Sequence, residues 1–230
     1  MNRIGIIASS GGSVARFAHE MLRNDGVELH IVTDRPCGIE ELRDKTASSH
    51  RRIEIPDNRQ FSIAAREHFQ SIGGVDFVVL FFLRLVTSDL LTSVPCFNIH
   101  PSLLPAYKGF YALQRAYSDR AKFFGATLHL ATERMDSGSI VAQAIATLDA
   151  NMSLQQMERV SFVQKLYLFL ILNELWTNRI LTFGPCNSSC EILSPTKLTS
   201  TSRANPSLDN LLLREQFQTA VAAQGIQWRP

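Results

Sequence analysis

The residues best placed to do chemistry are Asn98 and His100, in the short apolar run Phe97-Asn98-Ile99-His100. Side chains two apart on a strand project from the same face, so an amide and an imidazole would point together at one end of that strand. In open α/β folds the carboxyl end of a strand is where ligands bind. The next residues, Pro101-Ser102-Leu103-Leu104-Pro105, predict a stiff exposed loop. A lone histidine is more often structural than catalytic, and at this point both readings stand. Asp136, in Arg134-Met135-Asp136-Ser137-Gly138, reads on pattern alone as a turn residue between two strands. His129 lies in one of those strands and is either core or support for the site. The turn Ser9-Ser10-Gly11-Gly12-Ser13 precedes a helical pattern, so its backbone N–H groups suit a phosphate or carboxylate. The alternative is a tight turn that needs glycine for backbone reasons. It is neither a GxGxxG fingerprint nor a P-loop, so it implies no dinucleotide or triphosphate.

The elements that must position these residues follow from periodicity. Ile4 to Ala8 reads as a buried strand, and Val14, Phe17, Ala18 and Leu22 follow at helical spacing. Val27 to Val32 is a second strand, closed by the turn Thr33-Asp34-Arg35-Pro36. A short helical stretch is expected at Ile39 to Lys45, a strand at Arg52 to Ile55 and a helix from Gln60 to Ile72. Val75 to Phe82 is nearly all apolar, as a strand covered on both faces should be. Strand and helix thus alternate, which predicts an open, mostly parallel, doubly wound sheet.

Beyond it come a short strand at Phe97 to Ile99, the loop His100 to Gly109 and a helix at Tyr111 to Ser118. Ala126 to Thr132 and Ile140 to Ala146 look like paired strands, a hairpin about the turn at Asp136 to Gly138. A long helix runs from Ser153 to about Thr182. We expect residues 1–183 to form the catalytic domain and residues 184–230 a partly irregular extension. Residues 184–207, rich in Ser, Thr, Pro and Asn, read as a loose linker before a final helix from Leu208 to Ala223.

Composition narrows the classes. Apolar residues make up 45% and charged residues 19%, ordinary for a globular protein. The net charge of +2 gives no electrostatic case for nucleic acid, which normally calls for a clear basic excess. The run Leu166 to Leu172 is far short of the ~20 residues that span a bilayer and reads as core or as a dimer face. The N-terminal stretch lacks signal-peptide character. Cys37, Cys96, Cys186 and Cys190 lack the further ligands of a zinc set and read as reduced thiols in a cytoplasmic protein.

Two blocks carry a resemblance. Asn98-Ile99-His100-Pro101-Ser102-Leu103-Leu104-Pro105-Ala106-Tyr107-Lys108-Gly109 closely resembles the signature loop of the formyltransferases that use 10-formyltetrahydrofolate. Gly125-Ala126-Thr127-Leu128-His129, with Thr132-Glu133 and Asp136-Ser137-Gly138-Ser139-Ile140-Val141-Ala142-Gln143, resembles that family's second block. The resemblance runs from residue 1 to about 180, and glycinamide ribonucleotide transformylases look nearest. It implies a Rossmann-like formyltransferase fold, 10-formyltetrahydrofolate as cosubstrate, an amine acceptor and no metal. It makes Asn98, His100 and Asp136 the catalytic set. Asn98 and protonated His100 would donate to the formyl oxygen as charge develops there, and Asp136 would hold the imidazole. Folate would lie on main-chain groups of Phe82 to Val86, chiefly Arg84, Leu85 and Val86, with the loop before Asp136 opposite. Arg59 would meet its glutamate tail. Gly11, Gly12 and Ser13 would hold the acceptor's phosphate.

The chain departs from the family on the acceptor side. Val14 stands where an asparagine is usual, Phe110-Tyr111-Ala112-Leu113 replaces histidine-containing sequence, and the helix about Leu166 to Leu172 is unusually apolar. A phosphorylated amine, with glycinamide ribonucleotide as default, therefore competes with a nucleotide-linked amino sugar or a hydroxyornithine. Formyltetrahydrofolate deformylases share the same three residues but usually carry an N-terminal regulatory domain, which a catalytic strand starting at residue 4 argues against. A non-catalytic folate-binding protein is the remaining class. No membrane or nucleic-acid partner is expected, and the chain would be a monomer or homodimer.

Overall fold

The computed structural model describes residues 2–42, 47–149, 151–192, 203–223 and 225–226. Its contacts divide into two compact units. The first comprises residues 1–98, 130–138 and 183–190, and the second residues 99–129, 139–182 and 191–230.

The first unit is built on β1 (Arg3–Ala8), β2 (Glu28–Thr33), β3 (Ala47–Arg52), β4 (Phe77–Phe81) and the start of β5 (Cys96–His100). All its strand pairs are parallel, in the spatial order β5-β4-β1-β2-β3. The chain steps outward from β1 to β3, then returns to β4 on the other side of β1. That reversal creates a switch point between the carboxyl ends of β1 and β4, where open sheets leave a crevice. Helices α1 (Ser13–Leu22), α2 (Asn58–Ser71) and α3 (Ser88–Leu91) make the crossovers. The apolar runs of β1 and β4 are buried, with Ile4, Ile6, Ile7, Phe77, Val78 and Val79 all at 0% exposure. Asp57 caps α2, its carboxylate accepting the Gln60 N–H at 2.8 Å.

The second unit holds α4 (Ala112–Ser118), β6 (Phe123–Leu130, whose last residue belongs to the first unit), β7 (Ile140–Thr147) and α5 (Leu154–Thr177). β6 and β7 are antiparallel, as the hairpin reading predicted. Ser153 and Gln156 open α5 with reciprocal bonds of 3.2 and 2.7 Å, a capping box. Two short strands, β8 (Leu181–Phe183) and β9 (Cys190–Ile192), pair with each other. β10 (Arg203–Ala204) runs parallel to β7, and α6 (Leu211–Ala223) closes the chain. No helix among the described residues is long and apolar enough to cross a membrane.

The sequence reading misplaced several boundaries. The third strand is the polar Ala47–Arg52 rather than Arg52 to Ile55, because it is the outermost in its unit's strand order and needs no apolar run. A 3-10 turn covers Gly38–Leu42, and residues 43–45 of the expected helix lie outside the described residues. α5 ends at Thr177, and the helix expected beyond it is replaced by β8. The stretch read as a linker contains β9 and β10, with residues 193–202 outside the described part. The tail is tied down. The Asn205 side chain accepts the Ile145 N–H at 2.6 Å, the Glu174 carboxylate accepts the Asp209 and Asn210 N–H groups, and Phe217 packs 5.0 Å from Tyr167. Leu166 to Leu172 is buried by the chain's own packing, so the core reading of that run holds.

Candidate active site

In the first unit the crevice at the switch point is laced by short polar contacts. Ser9 N–H donates to Phe81 O at 3.0 Å, and Ser9 Oγ accepts the Leu83 N–H at 3.2 Å. Behind them sits Asp34, its side chain 1% exposed, paired with Arg35 at 2.9 Å and Arg84 at 3.7 Å. Burial pushes the Asp34 carboxyl up, but hydrogen bonds from Arg35 and Ser9 and the charges of Arg35 and Arg84 outweigh it, so its pKa is lowered. The turn expected to hold an anion leads into α1 here. Gly12 is left-handed (φ 71), and a Cβ there would lie 2.4 Å from Ile39, so no other residue fits. Ser13 begins α1 and Gly11 faces open space.

The expected folate segment emerges from β4 beside this turn. Arg84 does not offer its guanidinium to a ligand. It donates to Ile55 O at 2.9 Å, Pro56 O at 2.5 Å and Asn58 Oδ1 at 3.0 Å, and lies over the Phe61 and Phe82 rings. Only its main chain remains for a folate, as does that of Val86, which is 2% exposed. Leu85 is half-buried next to it. Arg59 is 73% exposed and its Nε lies 3.3 Å from Asp89. That pair is exposed, so it leaves Arg59 largely at the disposal of an anionic group.

Asn98 and Asp136 meet within this unit. Asn98 Nδ2 lies 3.4 Å from Asp136 Oδ1, a long bond that nonetheless orients the amide. Asp136 is 8% exposed and left-handed at φ 50, a conformation Asp tolerates better than most residues. Its neighbours hold it there. Glu133 accepts the Ser88 N–H at 2.7 Å, and a Cβ on Gly138 would strike Leu130 O at 1.8 Å.

His100 lies two residues beyond Asn98 on β5, in the second unit, and is 5% exposed. Its Nε2 sits 2.9 Å from Tyr107 O. A carbonyl can only accept, so Nε2 carries the proton and, in the neutral ring, Nδ1 carries the lone pair. The loop between them is pinned by groups the sequence reading did not single out. Thr127 Oγ1 accepts the Leu104 N–H at 3.0 Å and donates to Ser102 O at 2.6 Å. Gln143 Nε2 reaches both Leu104 O and Thr127 Oγ1 at 3.0 Å, and Ser102 Oγ donates to Ala106 O at 2.7 Å. Thr127 is a fully buried hydroxyl in a strand of mostly apolar residues, and that was the available signal. His129, also buried, sits next to it on β6.

α5 holds a second group the sequence reading passed over. Gln164 is 0% exposed, and neither end of its amide meets a hydrogen-bonding partner among the described residues. The same is true of the Ser161 hydroxyl one turn earlier, at 2% exposure. Residues three apart share a helix face.

Residues 2–169 match the family described as Formyl transferase. The chain belongs to the formyl transferase family. Relatives within it carry two activities in their names. The formyltetrahydrofolate deformylase of Mycobacterium bovis is 34% identical over 113 residues, 47% of this chain and 36% of that protein. The chloroplastic phosphoribosylglycinamide formyltransferase of Arabidopsis thaliana is 31% identical over 172 residues, 65% of this chain and 56% of that protein. The chain thus spans about a third to a half of the length of these curated relatives. Glycinamide ribonucleotide transformylase 1 of Symbiobacterium toebii superposes with a TM-score of 0.74 at 26% identity, covering 84% of this chain and 95% of that one. The Coxiella burnetii phosphoribosylglycinamide formyltransferase shares the fold at a TM-score of 0.77 and 19% identity, covering 89% of this chain and 99% of that one.

Proposed function

We propose that this formyl transferase moves a formyl group from 10-formyltetrahydrofolate to an amine in the cytoplasm, with glycinamide ribonucleotide as the default acceptor. The observation that carries the reading is the Asn98–Asp136 contact at 3.4 Å, which joins two sequence blocks 38 residues apart. The amine attacks the formyl carbon and negative charge grows on the formyl oxygen. The Asn98 amide donates to that oxygen. Because His100 Nε2 already donates to Tyr107 O, the ring serves the oxyanion through Nδ1–H, in its imidazolium form. Asp136 steadies the Asn98 amide and relays the amine's proton through water to the folate nitrogen, which leaves as its bond to the formyl carbon breaks. Arg84, Leu85 and Val86 present main-chain groups to the folate, Arg59 its charge to the glutamate tail, and Gly11, Gly12 and Ser13 their N–H groups to an acceptor phosphate.

Hydrolysis to formate is the second reading, favoured by the deformylases among the relatives. Following the absorbance change from 10-formyltetrahydrofolate to tetrahydrofolate, with and without glycinamide ribonucleotide, separates them. Turnover only with the amine is expected. Equal turnover without any amine makes the chain a hydrolase. Folate binding without turnover sends the search to amino sugars and hydroxyornithine.

A further inference from the structure

We propose that Arg115 is a positioning residue. By bracketing Tyr107 it holds that residue's carbonyl on His100 Nε2 and so fixes the imidazole tautomer. The benefit to turnover rests on the formyl-transfer reading; the tautomer does not.

His100 Nε2 lies 2.9 Å from Tyr107 O, a contact that selects the protonated ring nitrogen. The direction of that carbonyl depends on Tyr107 being left-handed, at φ 53. A residue with a Cβ enters that region at a cost of about 1–2 kcal/mol, so the backbone would relax unless something opposed it. Ser102 Oγ lies 3.5 Å from the same oxygen and bonds chiefly to Ala106 O, so it is a weak restraint.

The stronger restraints come from α4. Arg115 Nη2 donates to Lys108 O, the carbonyl immediately after the one that His100 uses. The Arg115 guanidinium also lies over the Tyr107 ring, 5.9 Å from its centre. The Tyr107 phenol is hydrogen-bonded to Asp119, whose own N–H is fixed to Arg115 O at 2.9 Å. Both sides of the strained residue, its ring and the next peptide unit, are thus gripped by one exposed arginine. Arg115 contributes nothing to the core, so the grip on Tyr107 is what its side chain does in this fold.

The test is long-range 1H–15N NMR of 15N-histidine-labelled protein at pH 8.5, with the His100 signals assigned by their loss in His100→Asn. The expected wild-type pattern is the Nε2–H tautomer. Arg115 lies on the surface, so Arg115→Ala should keep its fold by circular dichroism. It should show a mixture of tautomers and lose about 10- to 100-fold in kcat, with the KM for folate within about twofold. Tyr107→Phe keeps the carbonyl and the stacked ring, and should keep the tautomer. An Nδ1–H pattern in the wild type overturns the inference, and so does an unchanged tautomer in Arg115→Ala, whatever its kcat. If the wild type proves to turn over no formyl folate, the reaction reading fails while the tautomer measurement still decides this one.

Discussion

On β6 the Thr127 hydroxyl makes three hydrogen bonds, two of them to the loop after β5, and Gln143 adds another to the same loop. In the middle of α5, the Gln164 amide and Ser161 hydroxyl are as deeply buried and make none among the described residues. Both groups lie in the second unit and are equally buried, so burial alone does not explain the contrast. A satisfied network rigidifies what it touches, whereas an unsatisfied one is a standing penalty. The loop therefore reads as machinery set in advance around His100, and the middle of α5 as core that carries two unpaired polar groups at a cost to stability.

The comparison breaks most sharply at the machinery. Asn98→Ala and Asp136→Asn should each lower turnover by about 100- to 1000-fold, the size of losing one oxyanion donor, while folate binding measured by fluorescence quenching survives. Full turnover in either variant would remove the basis for the catalytic set. Next comes the clamp. Thr127→Val keeps the shape and strands the Leu104 N–H, so unfolding in urea should show a loss of about 1–3 kcal/mol together with weakened activity; an unchanged midpoint means the loop is held by something else. On α5 the sign reverses. Gln164→Leu removes an unpaired amide and should stabilise the protein by about 1 kcal/mol, read from the urea midpoint. A destabilised variant would show that the amide is paired after all.

The smallest effect concerns pH and lies away from both stretches. His30 and His68 in the first unit are held below the usual 6.5 by burial first, then by neighbouring cations, Arg3 for His30 and Arg51 for His68. Their folded pKa values lie below the unfolded one, so the unfolded chain binds more protons as pH falls through 6.5. Stability should be full above that pH and decline below it. Thermal midpoints at pH 7.5 and 5.5 check this, and a midpoint that holds or rises on acidification contradicts it.

Much of this was legible because the first unit's inner strands are buried on both faces, and such strands read as unbroken apolar runs; β1 and β4 are cases in point. β3 was misplaced because an outermost strand can be polar, and its register comes from β2 rather than from its own pattern. β10 has two residues and exists through pairing with β7, a non-local fact no local pattern carries. At the site, Asn98 and His100 were legible through period-two spacing. Asp136 was not distinguishable from an ordinary turn residue until the second block was recognised. The supports escaped for a simpler reason: a backbone carbonyl such as that of Tyr107 acts through its direction, which leaves no mark on residue type.

The most direct test of the central claim follows the formyl carbon itself. With 10-formyltetrahydrofolate labelled in the formyl group and glycinamide ribonucleotide present, the account predicts that the label leaves the folate and appears on the amine, at a rate that falls with Asn98→Ala. Label recovered wholly as formate, at a rate indifferent to the amine, would contradict it.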